Sequence, residues 1–138
     1  MPIATLNPAT GETIQTFPEF DAHTIDEKLR RAAEGFQQHR RTTFADRAHM
    51  MQAAAEILES ELEKFAQIIT LEMGKPISAA RAEIAKCATG CRYYATHAEN
   101  LLAPREAAAP SGRHSVPFEP PRPVLPVTPG HFPFRPGT

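Results

Sequence analysis

Two thiols, Cys87 and Cys91, are the strongest nucleophiles in this sequence. A catalytic thiol must ionise near neutral pH, which needs a nearby cation or a helix N-terminus. Both cysteines instead fall in the middle of a helical stretch, four residues apart and on one face. That placement disfavours a disulfide between them. Two ligands with no histidine at a familiar spacing do not make a zinc site. They read as small apolar core residues. The histidines, His23, His39, His49, His97, His114 and His131, are scattered without metal-ligand spacing. His49 and His97 read as helix-face residues. Neither G-x-G-x-x-G nor G-x-x-x-x-G-K occurs, so no glycine-rich phosphate loop is written in the chain. Glu72 and Lys75 read as surface or capping residues.

Composition narrows the function classes further. A net charge of −1 gives no field that would draw nucleic acid or an acidic membrane. Apolar residues at 41% and charged residues at 22% suit one soluble globular domain. No apolar run is long enough for a transmembrane helix. The opening Met1-Pro2-Ile3-Ala4-Thr5 lacks the pattern of a secretory signal, so the expected location is cytoplasmic.

Proline divides the chain. Of 14 prolines, ten lie at or beyond Pro104. Each removes an amide donor and fixes φ, and each pushes the preceding residue out of the helical region. Residues 1–102 therefore read as folded, and residues 103–138 as a largely extended or irregular tail.

Within the first part, Ile3 to Leu6 and Thr13 to Phe17 are β-prone stretches flanking Asn7-Pro8-Ala9-Thr10-Gly11-Glu12. These turn formers predict a hairpin, which must pack on something else to persist. Thr24-Ile25-Asp26-Glu27 has capping-box spacing and predicts a helix over 25–38. Its stripe is Ile25, Leu29, Ala32, Ala33 and Phe36. Thr43 caps a second helix with the stripe Phe44, Ala48, Met51, Ala55 and Leu58. A third runs through Leu58, Leu62, Phe65, Ile69 and Met73, with a bend near Glu59 to Glu61. Gly74 closes it as a left-handed cap, and Pro76 opens the fourth helix at its first turn. That helix carries Ala80, Ile84, Cys87, Cys91, Tyr94, Ala98 and Leu101 on one face. A free-standing coiled coil fits less well, because the stripe is rich in small residues.

Three stretches in order carry a family likeness. They are the turn 7–12, Leu71-Glu72-Met73-Gly74-Lys75-Pro76 followed by Ala79, Ala80 and Glu83, and Cys91-Arg92-Tyr93-Tyr94-Ala95. Over residues 1–102 the chain resembles the aldehyde dehydrogenase family, in the form seen in succinate-semialdehyde dehydrogenases. The resemblance implies an α/β protein. This chain would contribute a mainly α-helical part of the cofactor-binding domain, with an N-terminal β-hairpin and an extended Pro-rich tail. It also implies oxidation of an aldehyde to an acid by a cysteine thiolate, with hydride passing to NAD or NADP and a glutamate-activated water releasing the acid.

From Phe118 to Phe134 the chain resembles the family's first nucleotide-binding strand and the loop after it, with departures. Pro126 falls where a central parallel strand is expected, and Pro117 in the strand before it. Gly130 and His131 stand at the family's Trp-Asn positions, which touch the cofactor and hold the developing oxyanion. These are the only cofactor-binding positions the resemblance offers. An imidazole replaces an amide there, with different reach and shape. No catalytic residue is assigned, because the family's nucleophile and general base lie further along than Thr138. The expectation is a dehydrogenase fragment that binds no NAD or NADP and lacks turnover by itself, the product of a decayed or frame-disrupted gene. The alternative is a non-catalytic helical interaction module. Its partners would be a full-length dehydrogenase subunit or a second copy, reached through apolar surface left exposed on the third and fourth helices. A Pro-rich ligand built on Pro120 to Pro123 is the weakest reading.

Overall fold

The computed structural model describes residues 3–107, 114–120 and 122–126. Strands β1 (Ile3–Leu6) and β2 (Thr13–Phe17) pair antiparallel, with a register shift between Thr5 and Leu6. The predicted turn chemistry builds this hairpin. Asn7 Oδ1 accepts from the Ala9 amide at 2.9 Å, the Gly11 amide donates to the Asn7 carbonyl, and Gly11 takes a φ of 74°.

Four helices follow: α1 (Ala22–His39), α2 (Phe44–Ser60), α3 (Leu62–Met73) and α4 (Ile77–Leu101). The first begins earlier than the sequence reading places it. Asp21, not Thr24, is its N-cap, and its carboxylate accepts from the Thr24 amide at 2.7 Å. Asp ranks at least as high as Thr at this position, and Thr24 becomes a first-turn residue. At α2 the Thr43 cap forms as predicted. It is a reciprocal capping box in which Thr43 Oγ1 accepts from the Asp46 amide and the Thr43 amide donates to Asp46.

The bend expected near 59–61 falls on Glu61, whose φ of −104° and ψ of 21° separate α2 from α3. Gly74 ends α3 in the left-handed region at φ 68°. A Cβ there would lie 3.0 Å from Pro8 Cγ, so the same glycine also seats the hairpin turn against the α3–α4 corner. Pro76 is the residue just before α4 rather than its first turn, with ψ at 133°. Its missing amide is harmless at either position.

The core lies where α2 and α3 pack on α4. It holds Ala55 and Leu58 of α2, Ala66 and Ile69 of α3, and Ala80, Ile84, Cys87, Ala88 and Cys91 of α4. Alanines let the helix axes approach closely but bury little apolar area each. Ile69 and Ile84 are the largest fully buried side chains among the described residues. They supply a correspondingly large share of the hydrophobic stabilisation. Two bidentate pairs stitch the same packing from outside. Arg92 holds Glu59 of α2, and Arg81 holds Glu63 of α3 at 2.8 Å through both nitrogens.

Helix α1 departs from its expected burial. None of its residues is buried, and Ile25 and Leu29 are 46% and 64% exposed. Apolar surface is also open on α3 at Ile68 and Leu71, and on α4 at Tyr93, Tyr94 and Leu101.

Past Leu102 the tail contains a feature that proline counting missed. Strands β3 (Arg105–Ala107) and β4 (His114–Val116) form a second antiparallel hairpin. It fits between Pro104 and Pro117, in a stretch whose paired residues are not prolines. Residues 122–126 form no strand, as Pro123 and Pro126 withhold ladder donors.

Acid should loosen the helical unit. Hydrogen bonds from Arg92 and Arg81 hold the Glu59 and Glu63 carboxyls below the ordinary glutamate value of 4.5. Hydrogen bonds from Thr24 and Thr43 hold the capping carboxyls of Asp21 and Asp46 below the ordinary aspartate value of 3.8. A carboxyl with a depressed folded pKa stabilises the fold fully above its unfolded value. That contribution disappears as pH falls through the folded value. Circular-dichroism melts should therefore show a steady Tm from pH 7 to about 5 and a falling one below, with the modest amplitude of exposed groups. In the Glu59→Gln/Glu63→Gln variant that fall should shrink. A wild-type Tm that stays level down to pH 3 would contradict this account.

Candidate functional site

The most buried charged group in the described residues sits at the α3–α4 corner. Glu83, one turn after Ala79 and Ala80, points into the helix packing with its side chain 4% exposed. Lys75, held in the corner between Gly74 and Pro76, donates to Glu83 Oε2 at 2.5 Å. Only 17% of the Lys75 side chain is exposed, so it is no surface residue. Lys75 is thus the partner of a buried carboxylate rather than the surface or capping residue its sequence suggested. The Gly74 turn directs its stem inward, where a carboxylate eight residues later neutralises it. Glu72 remains exposed on the last turn of α3. The other Glu83 oxygen, Oε1, is buried without a hydrogen-bond partner among the described residues. A glutamate at the solvent-averse end of an alanine-rich stripe was the available signal for this pair.

One and two turns further along α4, Cys87 and Cys91 are buried core residues that form no disulfide. Burial pushes the Cys91 thiol up, away from the thiolate a nucleophile needs. Among the described residues no group of three or more His, Cys, Asp or Glu side chains could hold a metal ion. His49 and His97 are exposed on their helices, and His97 stacks on Tyr93 with ring centroids 4.5 Å apart.

A separate cleft of about 350 Å³ opens between the start of α2 and the end of α4. Phe44, Met51, Tyr94 and Leu102 line it, with His39 and Arg47 as its basic members. Arg47 is committed to structure. Its Nε donates to Thr42 Oγ1 at 3.0 Å and its Nη2 to the Thr42 carbonyl at 3.1 Å. The cleft offers mainly apolar contact, and no thiol lines it. Gly130 and His131, the positions assigned to the cofactor and oxyanion, lie outside the described residues. Among the described residues no glycine-rich cradle for a dinucleotide phosphate is formed.

The hairpin, the αL glycine corner and the long small-residue helix are thus positioned as one scaffold. Its sequence matches the model of the aldehyde dehydrogenase family over residues 1–135. The chain belongs to this family. It is 47% identical to the NADP-dependent succinate-semialdehyde dehydrogenase of Mycobacterium avium and 45% identical to that of Mycobacterium leprae. Each alignment covers 97% of this chain, but only 29% and 30% of the respective relative. The chain thus spans under a third of these family members. Among solved structures, the succinic semialdehyde dehydrogenase of Streptococcus pyogenes in complex with NADP+ superimposes with a TM-score of 0.74 at 28% identity. That match covers 80% of this chain and 25% of the other. An NAD-dependent aldehyde dehydrogenase from Sinorhizobium meliloti gives a TM-score of 0.67 at 31% identity, over 78% of this chain and 22% of the other. The mostly helical chain is therefore a fragment of a larger α/β family fold. No helix among the described residues is long and apolar enough to cross a membrane.

Proposed function

We propose that this chain forms the first helical section of an NADP-dependent succinate-semialdehyde dehydrogenase and that the 138 residues lack turnover by themselves. The observation carrying this reading is the 47% identity to the Mycobacterium avium enzyme across 97% of the chain. The reaction is oxidation of an aldehyde to a carboxylic acid. NADP, or NAD as in the Sinorhizobium meliloti relative, accepts the hydride when bound. Within these residues neither thiol is placed for attack. Cys87 and Cys91 are enclosed between helices, and Cys91 is shifted away from ionisation. What the chain contributes is support: a fixed α2–α3–α4 packing, a buried Lys75–Glu83 pair at its corner, and a hairpin seated on Gly74. The working location is the cytoplasm, and the working partner is the remainder of a dehydrogenase subunit.

NADPH formation from succinic semialdehyde by the homogeneous 138-residue protein is the test. The expected result is a rate equal to the protein-free background, with the Mycobacterium avium enzyme as the positive control. Turnover by the pure chain that survives a Cys87→Ala/Cys91→Ala replacement, or is lost on making it, would overturn the reading in either case.

A further inference from the structure

We propose that the cleft between the start of α2 and the end of α4 binds a small zwitterion, an aromatic body with a carboxylate at one end and an ammonium group at the other. The cleft holds about 350 Å³, within the range of small-ligand sites. Half-buried Ala48, Ala95 and Ala98 leave the space open, and Phe44, Met51 and Tyr94 line it. Two rings and a thioether favour a flat aromatic guest, through edge, stacked and sulfur contacts.

The two walls differ in sign. His39 and Arg47 belong to the α1–α2 side, and Glu99 to the α4 side. The helix ends add to the same polarity, because α2 presents its positive N-terminal end and α4 its negative C-terminal end. Hydrogen bonds to Thr42 fix Arg47 through Nε and Nη2, while Nη1 makes none among the described residues. The guanidinium plane is thereby set in advance, with donors left over for a carboxylate. Glu99 stands in the last turn of α4, where the helix dipole disfavours a negative charge. No hydrogen bond or ion pair holds it among the described residues, so helix stability does not account for it. Arg47 and Glu99 do not pair across the cleft, so a guest that meets both must carry its own charges apart. A purely apolar guest would leave both signs unmatched, and a simple anion would meet only one of them.

The test is equilibrium binding to the purified 138-residue protein, with 4-(aminomethyl)benzoate as the probe. Two analogues each lack one charge: 4-methylbenzoate and 4-methylbenzylamine. Expected is saturable binding in which the zwitterion exceeds either analogue by about three- to fivefold, the share an exposed charge contributes. Glu99→Gln, at an exposed position, should erase the advantage over 4-methylbenzoate and leave the remaining affinity in place. Ala98→Phe should fill the cleft and remove binding of all three. In wild-type protein with carbon-13 methionine methyls, the zwitterion should shift Met50 and Met51, which line the cleft, and leave Met73 of α3 unmoved. That readout stands even where Ala98→Phe fails to fold.

No saturable binding of any probe overturns the proposal. So does equal affinity for the zwitterion and 4-methylbenzoate, since the acidic wall would then take no part. Shifts confined to Met73, or binding that a folded Ala98→Phe variant retains, would place the ligand elsewhere and overturn it as well.

Discussion

Replacing Ile84 by alanine is expected to lower the stability of the helical unit by about 2–5 kcal/mol. Ile84 is fully buried at the centre of α4, between the faces that α2 and α3 present. Alanine and cysteine make up most of the other fully buried members of its cluster, and these short side chains have no spare length to fill the space a lost side chain leaves. The cavity term should therefore sit toward the upper part of that range. A core this poor in large side chains has little reserve, and a domain's total stability is itself of that order. Urea titration followed by circular dichroism should show the midpoint drop, or loss of the cooperative transition. By contrast, Ile57→Ala, at a half-exposed position on α2, should change the midpoint by a fraction of that amount. Equal effects at the two positions would refute the assignment of the core to the α2–α3–α4 junction.

Lys75→Met is expected to destabilise by about 3–5 kcal/mol, for a different reason. The substitution keeps the stem that crosses the corner but removes the donor to Glu83 Oε2. A carboxylate 4% exposed then loses its cation while its second oxygen already lacks a hydrogen bond among the described residues. Glu83→Leu added to Lys75→Met removes the stranded charge. The double variant should recover most of the loss, or exceed the wild type, because a buried ion pair repays little more than its desolvation. Thermal melts of the three proteins decide the matter. If the double variant is as unstable as Lys75→Met alone, the pair is not what the corner depends on.

Local chemistry was legible in the sequence wherever it is settled within a few residues. Asn7, Gly11, Thr43 and Gly74 each impose their turn or cap through contacts at most five residues away, and each appears where the residue types predict. The α2, α3 and α4 stripes were legible because burial on one side of a helix repeats along the chain. At the start of α1, capping-box spacing pointed to Thr24 alone. The carboxylate of Asp21 reaching the Thr24 amide selects the earlier start.

The candidate site was legible only in part. The sequence placed Cys87 and Cys91 in a core stripe and marked Lys75 and Glu83 as members of one motif. It could not show that Lys75 turns inward, because that depends on the left-handed Gly74 corner directing α4 back across α3. The pairing of β3 with β4 was equally hidden. Proline lowers the expectation of strand everywhere nearby, whereas pairing needs only the three residues on each side that lie between the prolines.

By itself, then, the sequence determined the order of hairpin and helices, the identity of the buried stripe and the family. The first two follow from backbone preferences and hydrophobic periodicity, which act over one or two turns, and the family from the likeness of three ordered motif stretches. The tertiary structure alone decided which stripes find partners. It closed α2 and α3 onto α4, drew Lys75 and Glu83 into the interior and left α1 uncovered, because burial depends on what another segment brings within contact distance.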